Sequence, residues 1–92
     1  MQGNGSEELA TAQSYLNGSN GPRNPPAAVD WLWKAIAKRN GEATILLSDL
    51  YLKGDGIPKN CDQARVLLDA AARNGRKDAV DRLRNMQAFG CQ

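Results

Sequence analysis

A repeat of 36 residues is the feature of this 92-residue sequence that most limits the folds open to it. The tetrapeptide YLNG at residues 15–18 recurs as YLKG at residues 51–54, and QAFG at 87–90 is a third, more divergent copy. The same offset relates other positions: Pro22 to Pro58, Asn24 to Asn60, Ala28 to Ala64 and Ala35 to Ala71. A period of this length predicts stacked supersecondary units with a continuous core.

Each repeat is predicted to be a pair of helices. In the second repeat, apolar residues recur at three- and four-residue spacing over residues 42–53, and Gly54 is suited to the left-handed conformation that ends a helix. Asn60 or Asp62 is expected to cap the next helix. The predicted helices lie near residues 7–17, 26–40, 42–53, 62–74 and 77–89, joined by short loops and with no strand.

The domain organisation follows from the same register. We expect one domain over residues 1–92, with repeats at about 8–41 and 42–75 and a capping helix at about 77–89, whose polar outer face is typical of the last unit of a repeat array. Asn40-Gly41 resembles Asn74-Gly75, which indicates a local slip of two positions. Gly41 and Gly75 are therefore predicted to form the tight turns between units.

Composition argues against several classes of function. Histidine is absent, which removes the usual general base near neutral pH and the commonest metal ligand. Two cysteines cannot complete a zinc site, and no nucleophile–base pair is evident, so we expect no enzyme activity, no cofactor and no metal. The net charge of +2 is too small to indicate nucleic-acid binding, and no apolar run is long enough for membrane insertion.

The second repeat resembles the Sel1-like repeat, a relative of the tetratricopeptide repeat. Seven positions carry the resemblance: Tyr51, Gly54, Gly56, Ala64, Ala71, Ala72 and Gly75. Others depart from the motif: Ile57 replaces its valine, Asn60 its aspartate, Gln63 its lysine and Leu67 its tryptophan. The first repeat fits at Tyr15, Gly18, Ala28, Trp31, Lys34 and Ala35, but has Asn20 at the second loop glycine.

The resemblance implies an all-α fold, a right-handed α-solenoid of antiparallel helix pairs with about five helices. It also implies a scaffold that binds a protein or peptide on the concave face, lined by the first helix of each pair. The family motif has no catalytic residues, so none is carried over. Candidate partner-binding residues are chosen by position on those first helices: Gln13, Ser14, Ser48, Asp49, Lys53 and Arg84.

Cys61 and Cys91 stand at the start of one predicted helix and just after the end of the next. Two antiparallel helices of about 13 residues, each about 20 Å long, return the chain to its starting level, so the two sulfur atoms can come within bonding range. We therefore predict a disulfide, which favours a periplasmic or secreted location. The alternative is two free thiols and a cytoplasmic location.

Trp33 differs in polarity from the residue at the equivalent position of the second repeat. Trp31 occupies the family's tryptophan position and is expected in the core, whereas Trp33 points about 200° away around the helix. The second repeat has Arg65 and Asp69 where the first has Val29 and Trp33, so that face is polar in one copy and apolar in the other. Either the N-terminal segment covers Val29 and Trp33, or a neighbouring repeat or partner does.

Two alternatives to a binding scaffold remain open at this stage. The apolar pair Val29 and Trp33 is a candidate surface for a homodimer, which would make the chain a self-associating structural fragment. The abrupt start MQGNGSEEL instead favours an accessory domain cut from a larger bacterial envelope or secretion protein.

Overall fold

The computed structural model describes residues 3–19 and 21–91, which form five α-helices and one short 3-10 helix. The helices are α1 (Ser6–Asn17), α2 (Pro25–Ala37), α3 (Gly41–Lys53), α4 (Cys61–Arg73) and α5 (Lys77–Arg84), followed by the 3-10 helix Met86–Phe89. No strand occurs in this described part, so the predicted all-α fold is confirmed. Asn20, the departure from the loop motif, lies outside the described residues.

The chain divides into two compact units, Met1–Ala43 and Thr44–Gln92, called here the N-terminal and C-terminal units. In the N-terminal unit α1 packs against α2, and the shared core consists of Leu9, Ala12, Ala28, Leu32 and Ala35. Gly5 allows a close approach, because a Cβ atom there would lie 2.8 Å from the Ala35 carbonyl oxygen. None of the helices described in either unit is long and apolar enough to cross a bilayer.

Polar contacts also join the two ends of the N-terminal unit. The Lys38 ammonium group pairs with the Glu8 carboxylate, and the Asn40 side chain donates to the Asn4 carbonyl oxygen at 3.1 Å. The hydrogen bond from Lys38 lowers the pKa of Glu8 below its ordinary 4.5. The stability that this pair contributes is therefore present above that value and is lost as the pH falls through the lowered pKa.

The C-terminal unit has a core to which α3, α4, α5 and the 3-10 helix all contribute. Its buried members are Ile45, Leu52, Ala64, Leu68, Ala71, Ala79, Met86 and Cys91. Cys91 is covalently joined to Cys61, the first residue of α4, with the Cα atoms 5.8 Å apart. Lys59 also donates a hydrogen bond to the Phe89 carbonyl oxygen. The predicted disulfide is therefore present, and it ties the end of the chain to the start of α4.

The backbone keeps the 36-residue period through the turn after α2, where the sequence indicated a slip. The Arg39 N–H donates to the Ile36 carbonyl at 2.8 Å, and 36 residues later Gly75 donates to Ala72 at 3.0 Å. Arg39 has a φ of 64° and Gly75 a φ of 90°, so both are left-handed. The prediction that Gly41 makes the first turn is wrong, because Gly41 is the first residue of α3.

The asparagine caps explain where the second helices begin. The Asn24 side chain accepts from the Ala27 N–H at 3.2 Å, and the Asn60 side chain accepts from the Gln63 N–H at 3.0 Å. Asn40 plays the same role at the start of α3 by accepting from Ala43 at 2.9 Å. Since short polar side chains satisfy the unpaired N–H groups of a first turn, these caps locate the helix starts within one residue of those predicted.

Two predicted helix ends are too long. The second helix stops at Ala37 rather than residue 40, since Arg39 leaves the helical conformation. The fifth stops at Arg84 rather than 89, and the Asn85 side chain there donates to the Asp81 carbonyl oxygen at 2.8 Å. Such a side-chain bond competes with the helical pattern and favours an end.

Replacing Arg39 by glycine is expected to raise the free energy of unfolding by about 0.5–1 kcal/mol. The left-handed conformation costs a side-chain-bearing residue about 1–2 kcal/mol, of which part is offset by the greater freedom of glycine in the unfolded chain. Gly75→Ala should have the opposite effect, a loss of about 1 kcal/mol from backbone strain alone, because no atom lies within 4 Å of a Cβ placed there. Urea unfolding measures both.

Gly3→Ala is the matched control, since Gly3 is exposed, has no positive φ and also has open space around its Cβ position. It should change stability by less than about 0.5 kcal/mol. A loss of stability in Arg39→Gly would contradict the equivalence of the two turns.

Candidate protein-interaction surfaces

The C-terminal unit carries a shallow groove of about 300 Å³, called here the α3–α5 groove. One wall is formed by Asp49 and Lys53 of α3. The other is formed by residues of α5 and of the segment after it: Asp81, Arg82, Asn85, Ala88 and Phe89. Lys53 and Asp81 are exposed, while Phe89 packs partly against the core. The groove therefore combines charges of both signs with an aromatic edge.

A two-point ion pair spans this groove. The Arg82 Nε and Nη2 atoms donate to the two carboxylate oxygens of Asp49 at 2.6 and 3.0 Å, and Nη1 donates to the Asp78 carbonyl oxygen at 3.3 Å. The side chains are only 30% and 19% exposed. The hydrogen bonds to Asp49 raise the pKa of Arg82 above its ordinary value. Bidentate arginine–carboxylate pairing fixes the orientation of both groups, so the centre of the groove is preorganised.

The N-terminal unit carries a second and larger groove, of about 540 Å³, called here the α1 groove. Ala10, Thr11, Ser14 and Tyr15 form its helical wall, and residues 21–24 form the wall opposite. The Asn24 N–H donates to the Tyr15 carbonyl oxygen at 2.8 Å and joins the two walls at one end.

The residues proposed from the sequence fall in different places. Asp49 and Lys53 line the α3–α5 groove, and Ser14 lines the α1 groove. Gln13 is exposed on α1, and Arg84 is exposed on α5 but does not line the groove. The α3–α5 groove therefore brings Asp49 and Lys53 together. Gln13 and Arg84 line neither groove.

The expectation that Ser48 faces outward is wrong. Ser48 is 0% exposed, and its hydroxyl donates to the Ile45 carbonyl oxygen at 2.7 Å. It lies three residues after Ile45 and four before Leu52, both buried in the core of the C-terminal unit. This spacing puts Ser48 on the buried stripe of α3, and a small hydroxyl that is bonded to its own helix fits there.

The two tryptophans behave differently from each other. Trp31, expected in the core, is half-buried, with the Lys34 Nζ atom 4.0 Å from its ring centroid. Trp33 remains 39% exposed and Val29 half-buried. The described residues thus leave part of Trp33 open, and full coverage by the N-terminal segment is not found.

Arg82 and the lining of the α1 groove other than Ser14 were not identified from the sequence as binding residues. A signal was present for Arg82, because the equivalent position in the second repeat is Leu46. A charged residue at a position that is apolar in the previous copy indicates a change in what that position contacts. Its partner Asp49 lies 33 residues away in the sequence, so a comparison made within one repeat does not pair the two residues.

Comparisons with known proteins agree with this architecture. The model of the Sel1 repeat family matches residues 8–40 and 41–75. A crystal structure of a Sel1 repeat protein from Oxalobacter formigenes is similar, with a TM-score of 0.80 and 28% identity over 89% of this chain and 24% of that chain. The present chain thus spans about a quarter of that protein's length. No curated protein matches it.

Proposed function

The chain belongs to the Sel1 repeat family, and from this premise we propose that it is a protein-binding module whose C-terminal unit docks its partner in the α3–α5 groove. Repeats of this family are generally protein-interaction scaffolds. Membership of the family does not specify which surface binds the partner. The side chains of the α3–α5 groove support this assignment.

The preorganised pair of Arg82 and Asp49 is the observation that carries the proposal. Its two side chains are fixed by hydrogen bonds before any partner arrives, so little side-chain entropy remains to be lost on binding. Exposed Lys53 and Asp81 stand at the rim, where charges govern association and specificity. Phe89 provides an aromatic contact beside them, the kind of side chain enriched at interface centres.

Charge reversal at the rim tests this proposal. A partner captured from an extract of the source organism would be purified, and its affinity measured for the unmodified chain, Lys53→Glu and Arg73→Glu. Arg73 is exposed on α4, away from the lining, and its reversal changes the net charge equally. We expect Lys53→Glu to weaken binding at least tenfold and Arg73→Glu by less than twofold.

Equal affinities for the two variants would refute docking in the α3–α5 groove. Self-association through Val29 and Trp33 is the competing function, favoured by the exposure of Trp33. Light scattering distinguishes it, since a dimer that Trp33→Ser converts to a monomer would assign the interaction to that surface instead.

The disulfide supports a proposal about location. Disulfides persist in the periplasm and outside the cell and are rare in a reducing cytoplasm. With Cys61 and Cys91 joined, a periplasmic or secreted location is favoured over the cytoplasm.

A further inference from the structure

A short segment after α5 forms part of the α3–α5 groove. Asn85, Ala88 and Phe89 line the groove and belong to this segment, whereas the other lining residues lie on α3 and α5. Among the described lining residues, Ala88 and Phe89 are the apolar ones. The apolar side of the groove therefore depends on what holds residues 85–91, called here the 85–91 segment.

The 85–91 segment has little regular structure of its own. Its 3-10 helix, Met86–Phe89, has only four residues. The Ala88 N–H donates to the Asn85 carbonyl oxygen and the Gly90 N–H to the Gln87 carbonyl oxygen, both at 2.9 Å. Hydrogen bonds between residues three apart have poorer geometry than those of an α-helix, and a helix this short depends on packing against the rest of the fold. Contacts outside the segment therefore fix its position.

Those contacts are of three kinds. Met86 is 5% exposed and lies in the core of the C-terminal unit, with Phe89 packed partly against it. The exposed Lys59 donates a hydrogen bond to the Phe89 carbonyl oxygen, and a bond made by so exposed a group competes with water. The disulfide from Cys91 to Cys61 is covalent, and it is attached two residues after Phe89. It is therefore the strongest restraint on the apolar side of the groove.

The charged side of the groove does not depend on the disulfide. Arg82 lies on α5, ahead of the 85–91 segment. Its guanidinium group is held by the Asp49 carboxylate of α3 and by the Asp78 carbonyl oxygen of α5. Loss of the disulfide is therefore expected to release the apolar side and to leave the charged side in place.

The disulfide is more accessible from one of its two residues. Cys61 is half-buried, whereas Cys91 is 1% exposed. A thiolate of a dithiol reductant therefore attacks the Cys61 Sγ atom, and the Cys91 Sγ atom leaves as a thiolate. The second thiolate of the reductant displaces Cys61 and closes the reductant's own disulfide, so the two cysteines gain two electrons and two protons. Because a thiolate is costly to bury, this step favours movement of Cys91 out of the core.

We propose that the redox state of Cys61 and Cys91 regulates binding in the α3–α5 groove. With the disulfide formed, the groove has both a charged and an apolar side and binds the partner. After reduction the 85–91 segment leaves its place, and the groove loses its apolar side. The proposal rests on the docking function argued above and adds its regulation: the chain binds in an oxidising compartment and not in a reducing one.

Backbone dynamics test the structural step without a partner. ¹⁵N relaxation is measured on the full chain in its oxidised form and after dithiothreitol treatment, with thiol counting to establish complete reduction. We expect the order parameters of residues 86–91 to fall from about 0.85 to below about 0.6, while those of α3 and α4 stay at about 0.85. Unchanged order parameters in residues 86–91 would overturn the proposal, and so would a loss of order throughout α3 and α4.

The partner purified from the extract is the probe for the functional step. Its affinity is measured for the oxidised chain, for the reduced chain and for a variant with both Cys61→Ala and Cys91→Ala. We expect the reduced chain and the variant to bind at least tenfold more weakly than the oxidised chain. The variant should bind equally with and without dithiothreitol, and this control reveals any effect of the reductant on the partner itself. Full affinity of the reduced chain or of the variant would refute the regulation.

Two single substitutions in the oxidised chain separate the apolar side of the groove from the rest of the segment. Phe89→Ala should weaken binding at least tenfold, because it removes the aromatic side chain that reduction displaces. Gln87→Ala is the matched control, since Gln87 is exposed in the same segment and does not line the groove. It should change affinity by less than twofold. Equal affinities for these two variants would contradict the role given to the apolar side.

The docking function and its regulation fail separately. If Lys53→Glu weakens binding and reduction does not, docking in the α3–α5 groove stands and its redox regulation is refuted. If Lys53→Glu and Arg73→Glu bind equally well with the disulfide intact, docking in this groove is itself refuted.

Discussion

Reduction of the disulfide between Cys61 and Cys91 is expected to lower the free energy of unfolding by about 3–4 kcal/mol. The bond joins residues 30 apart in sequence, and a closed loop of this length removes that much conformational entropy from the unfolded chain in the chain-entropy model. Single small domains are stable by only about 5–15 kcal/mol, so the loss is a large fraction of the total. Urea unfolding with and without a phosphine reductant measures it.

A variant in which both cysteines are replaced by alanine provides the control. It should be destabilised by a similar amount and should be insensitive to the reductant. Hydrogen exchange should accelerate first at residues 86–91, where the bond and the Lys59 contact to the Phe89 carbonyl hold the 3-10 helix. If thiol counting shows full reduction and the urea midpoint does not move, the stabilising role of the bond is refuted.

Truncation of either central leucine should cost about 2–5 kcal/mol. Leu32 and Leu68 are equivalent positions of the two repeats, and both are 0% exposed. Leu→Ala removes the transfer free energy of the lost methyl and methylene groups and leaves a cavity that the neighbouring helices fill only in part. Leu68 has Ala64 and Ala71 on its own face of α4, and Leu32 has the equivalent Ala28 and Ala35 on α2, so we expect similar costs at the two positions.

Urea unfolding of Leu32→Ala and Leu68→Ala gives these values, and Val66→Ala is the control. Val66 lies on the same helix as Leu68 but is 62% exposed, so its truncation should cost less than about 0.5 kcal/mol. Hydrogen exchange should show the strongest local effect of each leucine variant in its own unit. A loss of stability in Val66→Ala equal to that in Leu68→Ala would contradict the assigned helix faces.

The parts of the fold that depend on neighbours in sequence were predictable. Asn60 was one of the two caps predicted for α4, and Gly54 and Gly75 were predicted at the ends of α3 and α4, because capping chemistry acts within a few residues. The disulfide was also predicted, although the prediction assumed two helices of equal length. In the structure α4 has 13 residues and α5 has 8, and the 3-10 helix Met86–Phe89 lies between α5 and Cys91. The slip at Gly41 was an error of a different kind. Gly41 was matched to Gly75 because both residues are glycine, whereas it is Arg39 whose backbone adopts the left-handed conformation of Gly75.

The candidate sites were only partly predictable. Asp49 and Lys53, which were proposed from their position on α3, line the α3–α5 groove, whereas Ser48, one residue before Asp49, is turned about 100° around the helix into the core. From the sequence alone, a polar serine at that position is expected to be exposed, because the sequence does not show which face of α3 is buried. The pairing of Asp49 with Arg82 depends on the packing of α3 against α5, and sequence spacing does not indicate it.

The recurring backbone hydrogen bonds restrict how the gene for this chain can vary. The turn between α2 and α3 tolerates arginine at the left-handed position that is glycine one period later, so its composition is free to drift. Its length is not, because the Asn40 N–H donates across the turn to the Ala35 carbonyl oxygen at 3.1 Å, and one inserted or deleted residue would disrupt that spacing. Related genes should therefore differ in this turn by substitution, and should gain or lose chain in blocks of a whole period.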